Sequence, residues 1–279
     1  MTVETTPQSK LLENVLESFK NTPTPRLHEI TVSMLKHMHA FVDEVNLTQD
    51  EWLAGIEFLT AVGKFATDAR QEMILLSDVL GVSSLVEMIN YKGLSGATEN
   101  TVLGPFYIPG SKVRKNGESL IESPDSGQRL RVSGHVRSQD GKPIQGATLE
   151  IWETASNGFY PVQDPNQDPM NLRGTLISDE NGYYEFLTVR PVPYPVPVDG
   201  PVGDFMRGTG RHPMRAAHIH FVVKAAGHYP VQTHVFDSES DYLDSDAVFG
   251  VRDSLVLKFV EQPDGTLKTT FDITLTPVD

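Results

Sequence analysis

The sequence predicts an α+β protein, with a helical amino-terminal part followed by an antiparallel β-sandwich. Three observations lead there. Apolar residues recur at helical spacing up to about residue 90, the period becomes alternation from about residue 130, and the stretch between is rich in Gly, Pro, Ser and charge. The expected division is residues 1–104 for the helical part and 105–279 for the sheet part, with 105–128 as an irregular linker.

The helices come first. Leu12, Val15, Leu16 and Phe19 recur at i, i+3, i+4, i+7, and after the Pro23–Pro25 break Met34, Met38, Phe41, Val42 and Val45 continue the pattern. Thr48 and Glu51 form a capping box, opening a third helix that carries Trp52, Ile56 and Leu59. Apolar segments from Ile74 to Leu80 and Leu85 to Ile89 extend the helical part to about Asn90. In the sheet part, Leu130, Val132 and Val136 alternate with polar neighbours, Asp140-Gly141 supplies a tight turn, and Ala147, Leu149 and Ile151 resume the alternation, which predicts a hairpin. A second hairpin is expected around Asn181-Gly182, before Tyr184 and Phe186, and His218–Val223 and Leu255–Phe259 add further strands with no helices between them.

Composition narrows the function. The 279 residues are 39% hydrophobic, enough for a large core, and carry a net charge of −14. An acidic surface repels phosphate backbones and anionic membranes, so nucleic-acid binding is not expected. No run is apolar for long enough to insert in a bilayer, and the amino terminus has no basic segment leading into an apolar one, so the expected location is cytoplasmic. With 0 cysteines, any metal must be held by nitrogen and oxygen.

The strongest constellation is His218-Ile219-His220 in the strand-like run AAHIHFVVK. Alternate strand residues project from one face, so two imidazoles at i and i+2 can share one ion. His37 and His39 have the same spacing in a helical pattern and diverge around the axis. Further ligands could be His, carboxylate or tyrosine. Position 224, where a carboxylate could close the site, is Lys. Two tyrosines stand in unusual settings: Tyr160 in SNGFYPVQDP and Tyr194 in the proline-dense RPVPYPVPVDGP, where little side-chain entropy is left to lose. Residue chemistry alone does not choose among these options.

Several motifs in order give a more specific reading: TVLGPFY, NGFYPVQDP, NLRG, ENGYYEF, VPYPVPVDGPVG, RHPMRAAHIHF and YLDSDAVFGV. Over nearly its whole length the chain resembles the intradiol ring-cleaving dioxygenases, and LLSDVLGVS and YLDSDAVFGV are most similar to the branch that acts on hydroxyquinol. The resemblance implies one ferric iron per subunit, held by Tyr160, Tyr194, His218 and His220, with Arg215 as the active-site arginine and Tyr194 as the ligand that leaves when substrate binds. One departure is visible: the family commonly has Arg-Pro-Ala-His where this chain has Arg215-Ala216-Ala217-His218.

Two tyrosinates suit a hard ferric ion and lower its charge to 1+, which a bound hydroxide would neutralise. The implied reaction opens benzene-1,2,4-triol with dioxygen to 3-hydroxy-cis,cis-muconate, a tautomer of maleylacetate, in the catabolism of aromatic compounds. By the same resemblance the substrate pocket is lined by Leu75, Asp78, Val102, Leu103, Gly104, Pro105, Phe106, Val196, Pro197 and Val248, with Asp78 as partner of the third hydroxyl. The helical part is expected to form a homodimer and to enclose an apolar tunnel able to hold phospholipid. The competing expectations are catechol, chlorocatechol or chlorohydroxyquinol as substrate and, in a different class, a non-enzymatic β-sandwich binding module.

Overall fold

The computed structural model describes residues 6–68, 70–91 and 96–278. The chain forms two compact units, Met1–Thr60 and Ala61–Asp279. Compactness therefore divides it earlier than the change in composition near residue 104.

In the first unit, α1 (Pro7–Ser18) and α2 (Pro25–Glu44) each begin with a proline at the first turn, where its missing N–H leaves no bond unmade. The side chain of Thr6 caps α1 by accepting from the Ser9 N–H at 3.2 Å. The expected capping box opens α3 (Gln49–Phe65): the Glu51 N–H donates to Thr48 Oγ1, and the Thr48 N–H donates to Glu51 Oε2 at 2.9 Å. No residue of α1 or α2 is buried. Next come α4 (Glu72–Val79), which buries Leu75, Leu76, Asp78 and Val79, and α5 (Val82–Asn90). No helix among the described residues is long and apolar enough to cross a membrane.

The second unit is built on two five-stranded sheets. One joins β1 (Arg129–Ser138), β4 (Tyr183–Val189), β10 (Val260–Glu261), β11 (Leu267–Thr270) and β12 (Ile273–Leu275). The other has the order β3 (Arg173–Ile177), β2 (Thr148–Trp152), β7 (His218–Lys224), β8 (Val231–Asp237), β9 (Val256–Leu257). A two-stranded piece pairs β5 (Tyr194–Pro195) with β6 (Met214–Arg215). Leu130, Val132 and Val136 of β1 and Tyr184 and Phe186 of β4 pack with Leu149 and Ile151 of β2 and with Ile219, Phe221 and Val223 of β7 in one core. Leu120, from the irregular linker, is buried in that core too.

The structure corrects three details of the sheet part. The sheets are mixed, not purely antiparallel: β1 runs parallel to β11 and β12, and β8 parallel to β9. Alternation reports which face of a strand is buried and carries no information on the direction of its neighbour. Neither expected hairpin extends into paired strands: at Asp140-Gly141 only a stub closes, with the Ser138 N–H on Lys142 O, the Ile144 N–H on Val136 O and an isolated antiparallel bridge between Arg137 and Pro143. The turns at Asp140-Gly141 and Asn181-Gly182 are present, with the Gly141 N–H on Ser138 O and the Gly182 N–H on Asp179 O, but each carries the chain from one sheet to the other. The antiparallel neighbours in chain order are instead β2 with β3, β5 with β6, β7 with β8 and β10 with β11. Third, the sheet part contains a helix, α6 (Pro201–Gly208), whose Val202 N–H donates to the buried carboxylate of Glu72.

Gly134 explains how one strand serves two parallel partners. It sits between the β11-paired and β12-paired halves of β1, where the Phe271 backbone passes so close that an added Cβ would lie 1.9 Å from its carbonyl oxygen.

Candidate active site

The alternation that sends Ile219, Phe221 and Val223 into the core turns His218 and His220 to the opposite face of the same sheet. Register then builds a row across four strands. Trp152 on β2 stands beside His220 on β7, His220 beside His234 on β8, and on the other side Trp152 beside Arg173 on β3. Trp152 lies on the His220 ring at 4.5 Å between centroids and 12° between planes, and the His234 ring approaches His220 at 4.2 Å.

Two tyrosines close over this face. Tyr160 follows β2 in a loop held by the Tyr160 N–H on Gln163 Oε1, and Tyr194 opens β5, directly across from Arg215 on β6. Four polar atoms meet in a closed ring: Tyr160 Oη to Tyr194 Oη at 2.6 Å, Tyr194 Oη to His218 Nε2 at 3.1 Å, His218 Nε2 to His220 Nε2 at 3.1 Å, and His220 Nε2 to Tyr160 Oη at 2.9 Å. All four side chains are buried.

Hydrogen bonding sets the tautomer of His218. Its Nδ1 lies 2.6 Å from the Ala216 carbonyl, which only accepts, so Nδ1 carries the proton and the Nε2 lone pair faces the ring of donors. Burial drives the imidazolium forms of His218 and His220 well below the usual histidine range, reinforced for His218 by the Arg215 charge and for His220 first by its histidine neighbours. Both rings are therefore neutral, the form that binds metal. Burial also raises both phenols, against which the charge of Arg215 acts.

Arg215 is buried beside the ring. Its Nε donates to Asp246 Oδ1 at 3.1 Å and its Nη1 to His218 Nε2 at 2.8 Å, while Nη2 has no partner. Burial opposes its charge, and Asp246 together with Tyr194 and Tyr160 more than restores it. A narrow cleft opens on these groups, lined by Leu75, Asp78, Gly104, Pro105, Phe106, Val196, Pro197 and Val248 together with Trp152, Tyr160, Tyr194, Arg215 and His220. Two residues expected in its wall stand back from it. Leu103 packs behind, against the cluster of Phe106, Trp152, Tyr160 and Tyr194, and Val102 is buried near Gly250. Gly104 has φ +79°, and an added Cβ would sit 3.4 Å from His220 Cε1, so only a glycine serves easily here. Asp78 is buried, Oδ1 has no partner, and desolvation pushes its carboxyl up to about 6 against the pull of Ser83 and Arg215.

The donor set fits a hard, highly charged cation. It contains phenolic oxygen and imidazole nitrogen and no sulfur. The nitrogens of His218, His220 and His234 lie within 4.8 Å of one another, so a histidine triad able to hold a metal is present. His234, Trp152 and Asp246 were not singled out from the sequence. Asp246 lies inside YLDSDAVFGV, whereas nothing in VQTHVF signals that His234 will stand beside His220, because strand register sets that pairing.

Residues 24–98 match the family model described as "Catechol dioxygenase N terminus", and residues 102–277 match the one described as "Dioxygenase". The chain belongs to the intradiol ring-cleaving dioxygenases. A 6-chlorohydroxyquinol 1,2-dioxygenase of Cupriavidus pinatubonensis is 44% identical over 97% of this chain and 98% of the relative. A hydroxyquinol 1,2-dioxygenase of Nocardioides simplex is 42% identical over 97% and 96%. The crystal structure of a hydroxyquinol 1,2-dioxygenase from Pseudomonas putida superimposes with a TM-score of 0.88 at 41% identity, covering 97% of this chain and 99% of that one. This dioxygenase is therefore an enzyme with a helical amino-terminal part and a sheet-built catalytic part, as the motifs implied.

Proposed function

We propose that this dioxygenase opens hydroxyquinol, benzene-1,2,4-triol, between its two adjacent hydroxyl-bearing carbons, adding both atoms of dioxygen to give 3-hydroxy-cis,cis-muconate. The observation that carries the reading is the conjunction, in one cleft, of the four-donor ring with two unpartnered buried groups, Asp78 Oδ1 and Arg215 Nη2. Tyr160, Tyr194, His218 and His220 would hold one ferric iron per subunit. They are preferred to the histidine triad because their four donor atoms already converge in one closed ring, each within 3.1 Å of its neighbours. When bound, ferric iron supplies the electron-accepting centre that makes a catecholic dianion reactive towards dioxygen.

The remaining chemistry belongs to the chain. Tyr194 Oη, set against Arg215 and His218, would be a phenolate where it holds the ferric ion, and in that form it would accept a proton from a substrate hydroxyl as the diol enters. The cationic Nη2 of Arg215 stabilises negative charge that develops on the ring as it loses aromaticity. Leu75, Phe106, Val196 and Val248 form apolar walls that hold the ring and exclude water. Asp78 accepts a hydrogen bond from the third hydroxyl, which would otherwise be buried without a partner at a cost of about 1–3 kcal/mol.

The reading includes a division near residue 104 between a helical dimerisation part and the catalytic part, and a cytoplasmic location in aromatic-compound catabolism. A homodimer through the amino-terminal helices is supported by Met34, Met38 and Phe41, which stand exposed on a helix with no buried residue. The same apolar surface would accept the acyl chains of a phospholipid. A second substrate, a chlorinated hydroxyquinol, is favoured by the name of the Cupriavidus relative.

Oxygen uptake with product identification tests the reading, with the triol, its 6-chloro derivative and catechol side by side and a heat-inactivated control for autoxidation. The expected result is maleylacetate from the triol, well above control, with little turnover of catechol. Preference for catechol overturns the substrate assignment, and no uptake by iron-loaded protein with any of the three overturns the function.

A further inference from the structure

The NLRG motif places an arginine where no part of the reaction described above uses it. Arg173 of β3 is about 1% exposed, deeper than most charged side chains are ever found. Among the described residues no carboxylate lies within ion-pairing distance of it. Its Nη2 donates to the Phe106 carbonyl at 3.0 Å, its Nε has no partner, and its guanidinium carbon stands 5.9 Å from the centre of the Tyr160 ring. Phe106 in turn packs on Tyr160 at 5.0 Å between centroids.

A buried charge with no counter-ion is costly, and the chain accepts a second cost to put it there. Leu172, immediately before it, is fully buried with φ +55°, a left-handed conformation that a branched side chain rarely adopts. That turn starts β3 in the register that sets Arg173 beside Trp152, in the row that continues to His220. Core packing gives no reason for a cation at this position, since an apolar side chain would fill the space without the desolvation cost. The group that profits from it is the phenol oxygen system of Tyr160.

We propose that Arg173 is a positioning residue of the active site: its guanidinium tunes how strongly Tyr160 donates electrons to the metal and fastens the Phe106 backbone over the cleft. The inference rests on the assignment of Tyr160 as an iron ligand. A positive charge beside a phenolate stabilises the electrons it lends to the metal, so removing that charge lowers the energy of the phenolate-to-iron charge-transfer absorption.

The test compares Arg173→Gln, which keeps a donor and removes the charge, with Arg173→Lys, which keeps the charge, each iron-loaded and assayed for iron content, absorption spectrum and kcat. In Arg173→Gln the band moves to longer wavelength by on the order of 10–20 nm at normal iron content, and kcat falls about tenfold. Arg173→Lys keeps the wild-type band and restores most of kcat. An unshifted band in Arg173→Gln, or a shift as large in Arg173→Lys, overturns the inference. If Arg173→Gln does not fold, Arg173→Lys decides alone: folded with the wild-type band supports the inference, and unfolded or shifted overturns it. Wild-type protein without iron or colour would instead refute the ligand assignment before any variant is compared.

Discussion

Trp152 lies flat against His220, with ring centroids 4.5 Å apart and planes 12° from parallel, while His234 closes the other side of the imidazole at 4.2 Å. Both neighbours come from adjacent strands in direct register with His220, so the sheet itself holds this ring. Trp152→Leu removes the stack and leaves the imidazole free to rotate. Iron affinity is expected to fall about 10–100-fold, the usual range for loss of a group that orients a ligand. Competition with a chelator measures it, and wild-type retention would mean that the stack does not hold the ligand.

Three of the four donors are tested directly. Tyr160→Phe, His218→Ala and His220→Ala are each expected to lose iron or its phenolate colour. Metal analysis and visible absorption decide, and wild-type values in all three variants would overturn the assignment.

Arg215 and Asp246 form a buried pair, so their contributions to folding and to catalysis can be separated. Arg215→Met strands the Asp246 carboxylate and is expected to destabilise the protein by about 3–5 kcal/mol. Arg215→Met combined with Asp246→Asn recovers much of that stability while kcat stays down by about 10²-fold or more. Denaturant titration and steady-state kinetics read the two effects. Recovery of turnover in the double variant would show that Arg215 acts only as a structural partner.

Asp78 couples stability to pH with a defined sign. Its carboxyl is raised to about 6 in the folded chain from an ordinary 3.8, so between those values the folded state holds the proton more tightly than the unfolded state. Stability from this group is therefore lost as pH rises through that window, by roughly 3 kcal/mol once pH exceeds 6. Asp78→Asn is expected to raise the melting temperature at pH 7.5 and to leave it unchanged near pH 4, while lowering turnover of the triol more than any residual turnover of catechol. Equal losses on both substrates would remove Asp78 from recognition of the third hydroxyl.

The exposed apolar stripe of α2 predicts assembly. Met34→Glu with Met38→Glu should convert a dimer to monomers in sedimentation velocity, with oxygen uptake per iron retained. An unchanged sedimentation coefficient would place the interface elsewhere.

The two parts of the chain, the helix starts and the two-faced character of β7 were all legible in the sequence because each depends on local chemistry. Thr48 and Glu51 satisfy each other's backbone groups three residues apart, and His218 and His220 share a face wherever their strand is placed. Tyr160, Tyr194 and Arg215 were reached through the motifs in which the chain resembles the intradiol family, since residue chemistry alone left the further ligands open. What lay beyond the sequence is what distant segments do to one another. Two good turn dipeptides proved to be corners between sheets, since a turn reverses the chain without choosing the strand beside it. His234, Trp152 and Arg173 joined the site through cross-strand register, and the long-range approach of β6 to β5 put Arg215 across from Tyr194. By itself, the sequence determined which groups the protein could bring to a metal. Only the tertiary structure decided which of them are buried together, because burial and register arise from packing among strands tens of residues apart.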